Sequence, residues 1–364
     1  MSIKVEKDIK MNMSLSPSQT KDALRLLLKS REVPMIWGPP GIGKSAICQE
    51  LANETGRRLI DIRLALWDPT DIRGIPYFDP EHKQMLWAAP SEFPKVASDN
   101  SIILLDELPS AAPTVQVGAY QLTLNRKIGT YSLPDGVDVM AAGNRETDRG
   151  VSFKMPSPLA NRMTHIEMKV DHSDFIQWAI DNNMETSVIS YLAWAKADIF
   201  DFDPQRSGKA FATPRSWEKA ANIIQNSKGC SEAVLTSVIA GTVGEGLAIK
   251  YMAHRKISMK LPKSEDILDG KLKTFKYGKD ISILYALIMN CCHDLRERKD
   301  TPSKKFLEYV DNFYMFMLSN FPQEYLVMGV KLSIRNFGLP IDPEKLKSYD
   351  LFMEKVEKHL FSND

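Results

Sequence analysis

The octapeptide Gly38-Pro39-Pro40-Gly41-Ile42-Gly43-Lys44-Ser45 brings together glycines, a lysine and a hydroxyl at a spacing that suits phosphate. It fits the pattern G-x-x-x-x-G-K-[ST]. Glycine lets the backbone curl without a Cβ clash, so successive N–H groups can turn toward one point. Where a helix follows, its dipole adds positive potential at that point. A triphosphate is the natural guest. Lys44 would reach its β- and γ-phosphates, and the Ser45 hydroxyl would ligate Mg²⁺. Gly38 to Ala46 are therefore the candidate nucleotide-binding residues.

Two further stretches run from apolar residues into polar ones. Ser101-Ile-Ile-Leu-Leu-Asp106-Glu107 ends in paired carboxylates. A continuous apolar run suits a strand buried on both faces, as in a parallel sheet. Such sheets bind ligands outside the C-terminal strand ends. Asp106 is the candidate to hold Mg²⁺, mainly through water, and Glu107 to polarise an attacking water. Standing alone, the same residues would commonly cap a helix. Val137-Asp-Val-Met-Ala-Ala-Gly-Asn144 is a second buried strand, ending in an amide. Asn144 can bond both a lytic water and a γ-phosphate oxygen; its bland alternative is a turn. Arg215 follows Thr213-Pro214, a cap and a first-turn proline. There the helix dipole disfavours a cation, and such local conflicts often mark functional sites. A surface salt bridge is the ordinary alternative.

The elements that must position these groups are legible around them. Val33-Pro-Met-Ile-Trp37 reads as a short strand entering the phosphate loop. Ser45 to Thr55 reads as the helix leaving it, with Ala46, Ile47, Leu51 and Ala52 at helical spacing. Ser16-Pro17 starts an earlier helix that ends near Ser30. Leu59 to Leu64 is a second strand. Tyr77-Phe78 and Met85-Leu86-Trp87 flank a polar tip, Asp79 to Lys83, and predict an inserted hairpin. Pro113 to Leu124 predicts a helix, Arg126 to Leu133 an outlying strand, Leu159 to Arg162 a short helix and Met163 to Met168 the last strand. From Val170 the pattern is helical to the end. Within it Phe306, Tyr309, Val310, Phe313 and Met317 form a stripe that reads as core or a subunit contact.

Composition is that of an ordinary globular chain. Of 364 residues, 43% are hydrophobic and 26% charged, and 47 basic residues against 46 acidic give a net charge of +1. That balance argues against a whole-molecule basic field for nucleic acid, though not against a local patch such as Lys271 to Lys279. The four cysteines form no C-x-x-C pair, and the six histidines show no ligand spacing. Reduced thiols, no structural zinc and a cytoplasmic location are expected. No apolar run reaches the ~18 residues of a membrane span, and no signal peptide core is visible.

The order of these signals resembles the AAA+ ATPases, and in detail the MoxR-type branch. The residues that carry the likeness are Gly38 to Ser45, Asp71-Ile-Arg-Gly74 through Pro90, Leu104 to Pro113, Ala142-Gly-Asn144, Leu159-Ala-Asn-Arg-Met163 and Thr213-Pro-Arg-Ser216. They span about residues 15 to 250. The resemblance implies an α/β P-loop NTPase fold: a five-stranded parallel sheet between helices, then a helical lid. The expected division is a flexible 1–14, a nucleotide-binding domain over 15–169 with a hairpin insert at about 75–90, a lid over 170–255 and a helical extension over 256–364. By the same resemblance ATP and Mg²⁺ are the ligands. Asn144 corresponds to sensor 1, Arg215 to sensor 2 and Arg162 to the arginine finger that acts on a neighbour. Members form rings, usually hexamers, and remodel client proteins, often beside a von Willebrand A-domain partner.

The sequence departs from the family twice. Arg145 stands where proline commonly follows the sensor-1 asparagine, and Met163 where an aromatic commonly follows the finger. Arg145 and Arg149 therefore compete with Arg162 for the role in trans. The leading expectation is an ATP-hydrolysing remodeller. The alternatives are a DNA-linked motor or loader on the same core, and a switch that hydrolyses slowly.

Overall fold

Ser16 and Pro17 open the first helix as their types require. The Ser16 side chain accepts from the Gln19 N–H, and Gln19 Oε1 accepts from the Ser16 N–H at 3.0 Å. This is a reciprocal capping box. It starts α1 (Pro17–Lys29), which is followed by β1 (Pro34–Trp37) and α2 (Lys44–Glu54). Then come β2 (Arg58–Arg63), α3 (Pro69–Arg73), β3 (Ile75–Asp79), β4 (Gln84–Ala88) and β5 (Ser101–Asp106). α4 (Pro113–Asn125), β6 (Lys127–Ile128), β7 (Tyr131–Ser132), β8 (Asp138–Gly143), α5 (Ser157–Ala160) and β9 (Thr164–Glu167) complete the α/β part. The computed structural model describes residues 13–96, 99–148, 153–206, 208–277 and 281–361, with side chains to 355. Most of the expected flexible N-terminus lies outside those residues.

The chain divides into two units: Met1–Asp171 with Phe202–Ser207, and His172–Asp201 with Gly208–Asp364. In the first, five parallel strands lie in the order β2-β5-β8-β1-β9. β5 is buried from Ser101 through Leu105, which is why its sequence is continuously apolar rather than alternating. Met35, Ile60, Ile62, Ile103, Leu105, Val139 and Ala141 meet Val115, Ala119 and Leu122 of α4 in one core. At the other end of the strands, Arg57 Nη1 donates to Asp138 Oδ2 at 2.6 Å, and its Nη2 donates to the carbonyls of Ser101 and Gly136 at 2.8 and 3.0 Å. One guanidinium thus ties the starts of β5 and β8.

Register aligns the strand ends that matter. Trp37 pairs with Gly143 and Glu167, and Arg63 with Asp106. Gly143 is required by contact: a Cβ there would meet Pro109 Cδ at 2.2 Å. Only glycine lets the end of β8 lie so close to the turn that follows Asp106 and Glu107.

The expected insert is present as β3 and β4, antiparallel, with Tyr77 opposite Leu86 and Phe78 opposite Met85. Trp87 anchors its base: the Arg73 guanidinium lies 4.3 Å above the ring, and Thr130 Oγ1 donates to the Trp87 carbonyl at 3.1 Å. Phe78 and Met85 remain exposed.

One local expectation is corrected. Arg126 to Leu133 is not a single strand; β6 and β7 pair antiparallel across Gly129-Thr130. Arg126 leaves α4 in the left-handed region at φ 51°, and Gly129 turns the chain at φ 56°. The short helix also begins at Ser157 rather than Leu159, because Pro158 sits in its first turn, where proline is favoured.

The second unit is helical: α6 (His172–Asp181), α7 (Thr186–Trp194), α8 (Pro214–Gln225), α9 (Glu232–Val243) and α10 (Glu245–Ser258), then α11 (Ser264–Leu268), α12 (Ser282–Glu297), α13 (Ser303–Asn320), α14 (Gln323–Lys331) and α15 (Tyr349–Phe361). α10 runs unbroken across residue 255, where the sequence suggested a boundary. Tyr191, Trp217 and Tyr251 are fully buried together, and Tyr191 Oη donates to Asp198 Oδ2 at 2.5 Å. The α13 stripe is core: Phe306, Val310, Phe313 and Met317 are buried. Cys48, Cys291 and Cys292 are buried free thiols, and Cys230 is an exposed one. No described helix is long and apolar enough to cross a membrane.

Candidate functional site

The phosphate loop joins β1 to α2. Gly43 occupies the N-cap position of α2 at φ 98°, a left-handed conformation that a side chain would strain. No side chain caps this helix. Its first N–H groups and dipole thus face the loop, which is the arrangement that attracts anions.

Lys44 is buried at 8% exposure, and its Nζ donates to three oxygens: the carbonyls of Gly38 and Pro39 at 2.8 and 2.9 Å and Asn144 Oδ1 at 2.8 Å. Ser45 Oγ donates to Asp106 Oδ2 at 2.6 Å. Four of the residues singled out from sequence, on three separate elements, are therefore bonded to each other in pairs. Glu107 follows at φ 56°, a left-handed position unusual for a residue with a side chain. Its N–H donates to Asp106 Oδ1 at 2.9 Å, and its side chain is exposed. Backbone strain of this kind clusters at working sites.

A third carboxylate joins this pair. Burial, and after it the nearby Asp106 charge, push the Asp61 carboxyl above its usual range, with Glu107 adding a further push. Arg63 Nε, 3.8 Å from Asp61 Oδ2, opposes the shift. Asp61 carries no sequence signal: it is one polar residue in an alternating strand, and only the pairing of β2 with β5 brings it near Asp106. Hydroxyl and carboxylate oxygens form a hard donor set, and crowded negative charge is what a divalent cation relieves. Ser45 and Asp106 thus fit Mg²⁺.

The three arginines weighed for a role in trans fare differently. Arg145 is engaged at home. Its N–H and Nε donate to Asp148 Oδ2 at 2.9 and 3.3 Å, its Nη2 to Oδ1 at 3.0 Å, and Glu167 lies 3.9 Å away. Arg149 lies outside the described residues. Arg162 follows α5, between Leu159 and Met163, both buried in the sheet's core. Its guanidinium stands 4.4 Å over the ring of Tyr120 on α4. Among the described residues nothing accepts from its buried Nη1. An unpartnered buried donor costs on the order of 1–3 kcal/mol. Sequence reasoning missed Tyr120, because the two residues lie far apart in the chain and no motif links them.

Arg215 lies in the second unit, exposed in the first turn of α8. Thr213 caps that helix, its Oγ1 accepting from the Ser216 N–H at 3.1 Å while Ser216 Oγ accepts from the Thr213 N–H at 2.7 Å. Among the described residues Arg215 makes no ion pair.

Comparison with known proteins finds likenesses to this part of the chain. Residues 34–170 match the family described as "ATPase family associated with various cellular activities (AAA)". Midasin of Giardia intestinalis is 25% identical over 190 residues, which is 49% of this chain and 4% of that protein. Lon protease of Haemophilus influenzae is 30% identical over 149 residues, 36% of this chain and 17% of that one. This chain thus spans only a small part of the length of these relatives. Among solved structures, the RuvB Holliday junction branch migration motor of Thermotoga maritima aligns over 69% of this chain and 74% of its own, at 16% identity and a TM-score of 0.36. NtrX of Brucella abortus aligns over 87% and 67%, at 13% identity and a TM-score of 0.40. The α/β unit is an AAA-type P-loop NTPase fold with a helical region after it.

Proposed function

We propose that this chain hydrolyses ATP and uses the cycle to remodel a partner protein, as a MoxR-like member of the AAA+ group working in a ring of its own copies. A hexamer, and a partner bearing a von Willebrand A domain, are the specific forms of that reading. The observation that carries it is the pairing of Lys44 with Asn144 and of Ser45 with Asp106 at the C-terminal ends of adjacent parallel strands. The AAA match over residues 34–170 and the partial similarity to midasin support it.

Phosphoryl transfer spreads negative charge over the γ-oxygens, so catalysis is mostly positioning and electrostatics. Lys44 would exchange its carbonyl acceptors for phosphate oxygens. Ser45 and Asp106 would hold Mg²⁺, whose charge offsets that of the phosphates. Asn144 and Glu107 would place and polarise the water. Arg162 would supply charge to the site of a neighbouring copy, and Arg215 would contact the phosphates of its own. Arg162 is preferred over Arg145 because the Arg145 fork is already filled by Asp148.

The test is Glu107→Gln. It keeps the shape and loses the carboxylate, so ATP binding should persist while turnover falls by ~10²–10⁴. Unchanged turnover would remove Glu107 from the mechanism. Turnover that instead requires DNA, and whose stimulation falls steeply with salt, would move the chain to the class of DNA-linked motors.

A further inference from the structure

Resting on that reading, we propose that Tyr120 is a positioning residue for the arginine that acts in trans: its ring is the seat that holds the Arg162 guanidinium ready for the γ-phosphate of a neighbouring copy.

The backbone of Arg162 is fixed. Its N–H donates to the Leu159 carbonyl at 3.1 Å, and the next N–H, of Met163, donates to that of Ala160 at 3.2 Å. Leu159 and Met163 on either side are buried in the core under the sheet. Those contacts fix the backbone and do not hold the guanidinium. Among the described residues, the guanidinium is held by the Tyr120 ring at 4.4 Å, and the buried Nη1 has no acceptor. Tyr120 itself is half-buried and packed against the core of α4 and the sheet.

The chemistry of this seat suits a group meant for someone else's phosphate. An aromatic face attracts the cation through its quadrupole and takes none of its N–H donors. The ring thus fills none of the five donors of the planar fork, and those that are not buried stay available for oxygens that arrive later. A carboxylate in the same place would orient the arginine but fill the fork, as Asp148 does for Arg145. Tyr120 also lies on α4, the next α-helix in the chain after β5 and Glu107, so the seat and the acidic pair are carried by neighbouring elements.

The test uses the full chain at ring-forming concentration, with ATP turnover read alone and in mixtures with Lys44→Ala subunits. Those subunits lose their own phosphate grip but keep Arg162. Tyr120→Leu, which keeps apolar bulk and loses the π face, should lower kcat roughly 10- to 100-fold, the scale on which ångström misplacement of a catalytic group acts. KM for ATP should stay within about twofold, since the seat does not belong to the chain's own phosphate cradle. Tyr120→Phe, which keeps the face, should restore turnover. Mixing Tyr120→Leu with Lys44→Ala should recover activity, because each Tyr120→Leu cradle can then meet an intact arginine. Wild-type kcat in Tyr120→Leu would overturn the proposal. So would a loss that mixing fails to rescue while Arg162→Ala is rescued, since that loss would lie in folding or in the chain's own cradle. If Arg162→Ala is itself not rescued, the reading of Arg162 as a trans group fails, and the seat falls with it.

Discussion

Lys44 and Arg162 are two half-buried or buried cations in the same α/β unit, and they are held in opposite ways. Lys44 Nζ has the oxygens of Gly38, Pro39 and Asn144 within 2.8–2.9 Å. Arg162 rests on a ring, with a buried Nη1 that meets no acceptor among the described residues. The first corner is complete in hydrogen bonds before any ligand comes, so a phosphate must win Lys44 by exchange. The second leaves the buried Nη1 unspent, as the proposed role on a neighbour's phosphate would require. On the proposed reading, the cation that is satisfied serves the chain's own site and the one that is not serves a neighbour's.

The sharpest break of this contrast is Arg162→Ala. Arginines supplied in trans are worth ~10³–10⁵ in rate in related phosphoryl transfers. Turnover should fall on that scale while ATP binding persists, and mixing with Lys44→Ala subunits should partly restore it. Specific activity of the unaltered chain should also drop on dilution. Dilute monomer that turns over as fast as concentrated protein would mean Arg162 serves its own cradle, and the two corners would no longer differ in kind.

Asn144→Ala tests the other side of the contrast, and the expected loss is smaller. The amide would donate to one oxygen near the reacting phosphate, and removing one such donor costs ~10²–10³ in turnover. No rescue by any mixture is expected, because Asn144 bonds the chain's own Lys44 at 2.8 Å. Rescue by Lys44→Ala subunits would place Asn144 with Arg162 and erase the difference between the two corners.

The same two corners show what a sequence can reveal. The Lys44 corner was legible because its residues are local in type and ordered along the chain. A glycine run demands one backbone path, and an apolar run ending in carboxylates demands a buried parallel strand. The insert hairpin and the caps at Ser16 and Thr213 followed from equally local rules, and the five-stranded sheet from the family resemblance. The Arg162 corner was half legible: the family resemblance, through Leu159-Ala-Asn-Arg-Met163, marked the arginine, but nothing marked its seat. Tyr120 looks like one more aromatic on an amphipathic helix, and its partner is defined by tertiary packing of α4 against α5. Arg126 to Leu133 failed for a related reason. Its apolar residues fit one strand, and a single glycine at φ 56° divides it in two.

Asp61 provides the smallest and most local test, since it bears on whether the first corner is as settled as its hydrogen bonds suggest. Burial and the Asp106 charge raise its pKa in the folded chain. A carboxyl whose folded pKa is raised binds its proton more tightly when folded. Its ionisation therefore counts against the fold at pH above that raised value, and ceases to count below the unfolded value. Asp61→Asn should then stabilise the nucleotide-free, metal-free protein at neutral pH, and the gain should fade as pH falls through the carboxylate range. With a side chain that is 37% exposed, solvent screens the effect. A rise in Tm of roughly 1–3 °C at pH 7 is expected, and added Mg²⁺ should shrink the difference by offsetting the same charge in the unaltered chain. A fall in Tm at pH 7 would mean that the Asp61 carboxylate is held by Arg63 more strongly than it is opposed by Asp106, and that the acidic side of the cradle is at rest without a cation.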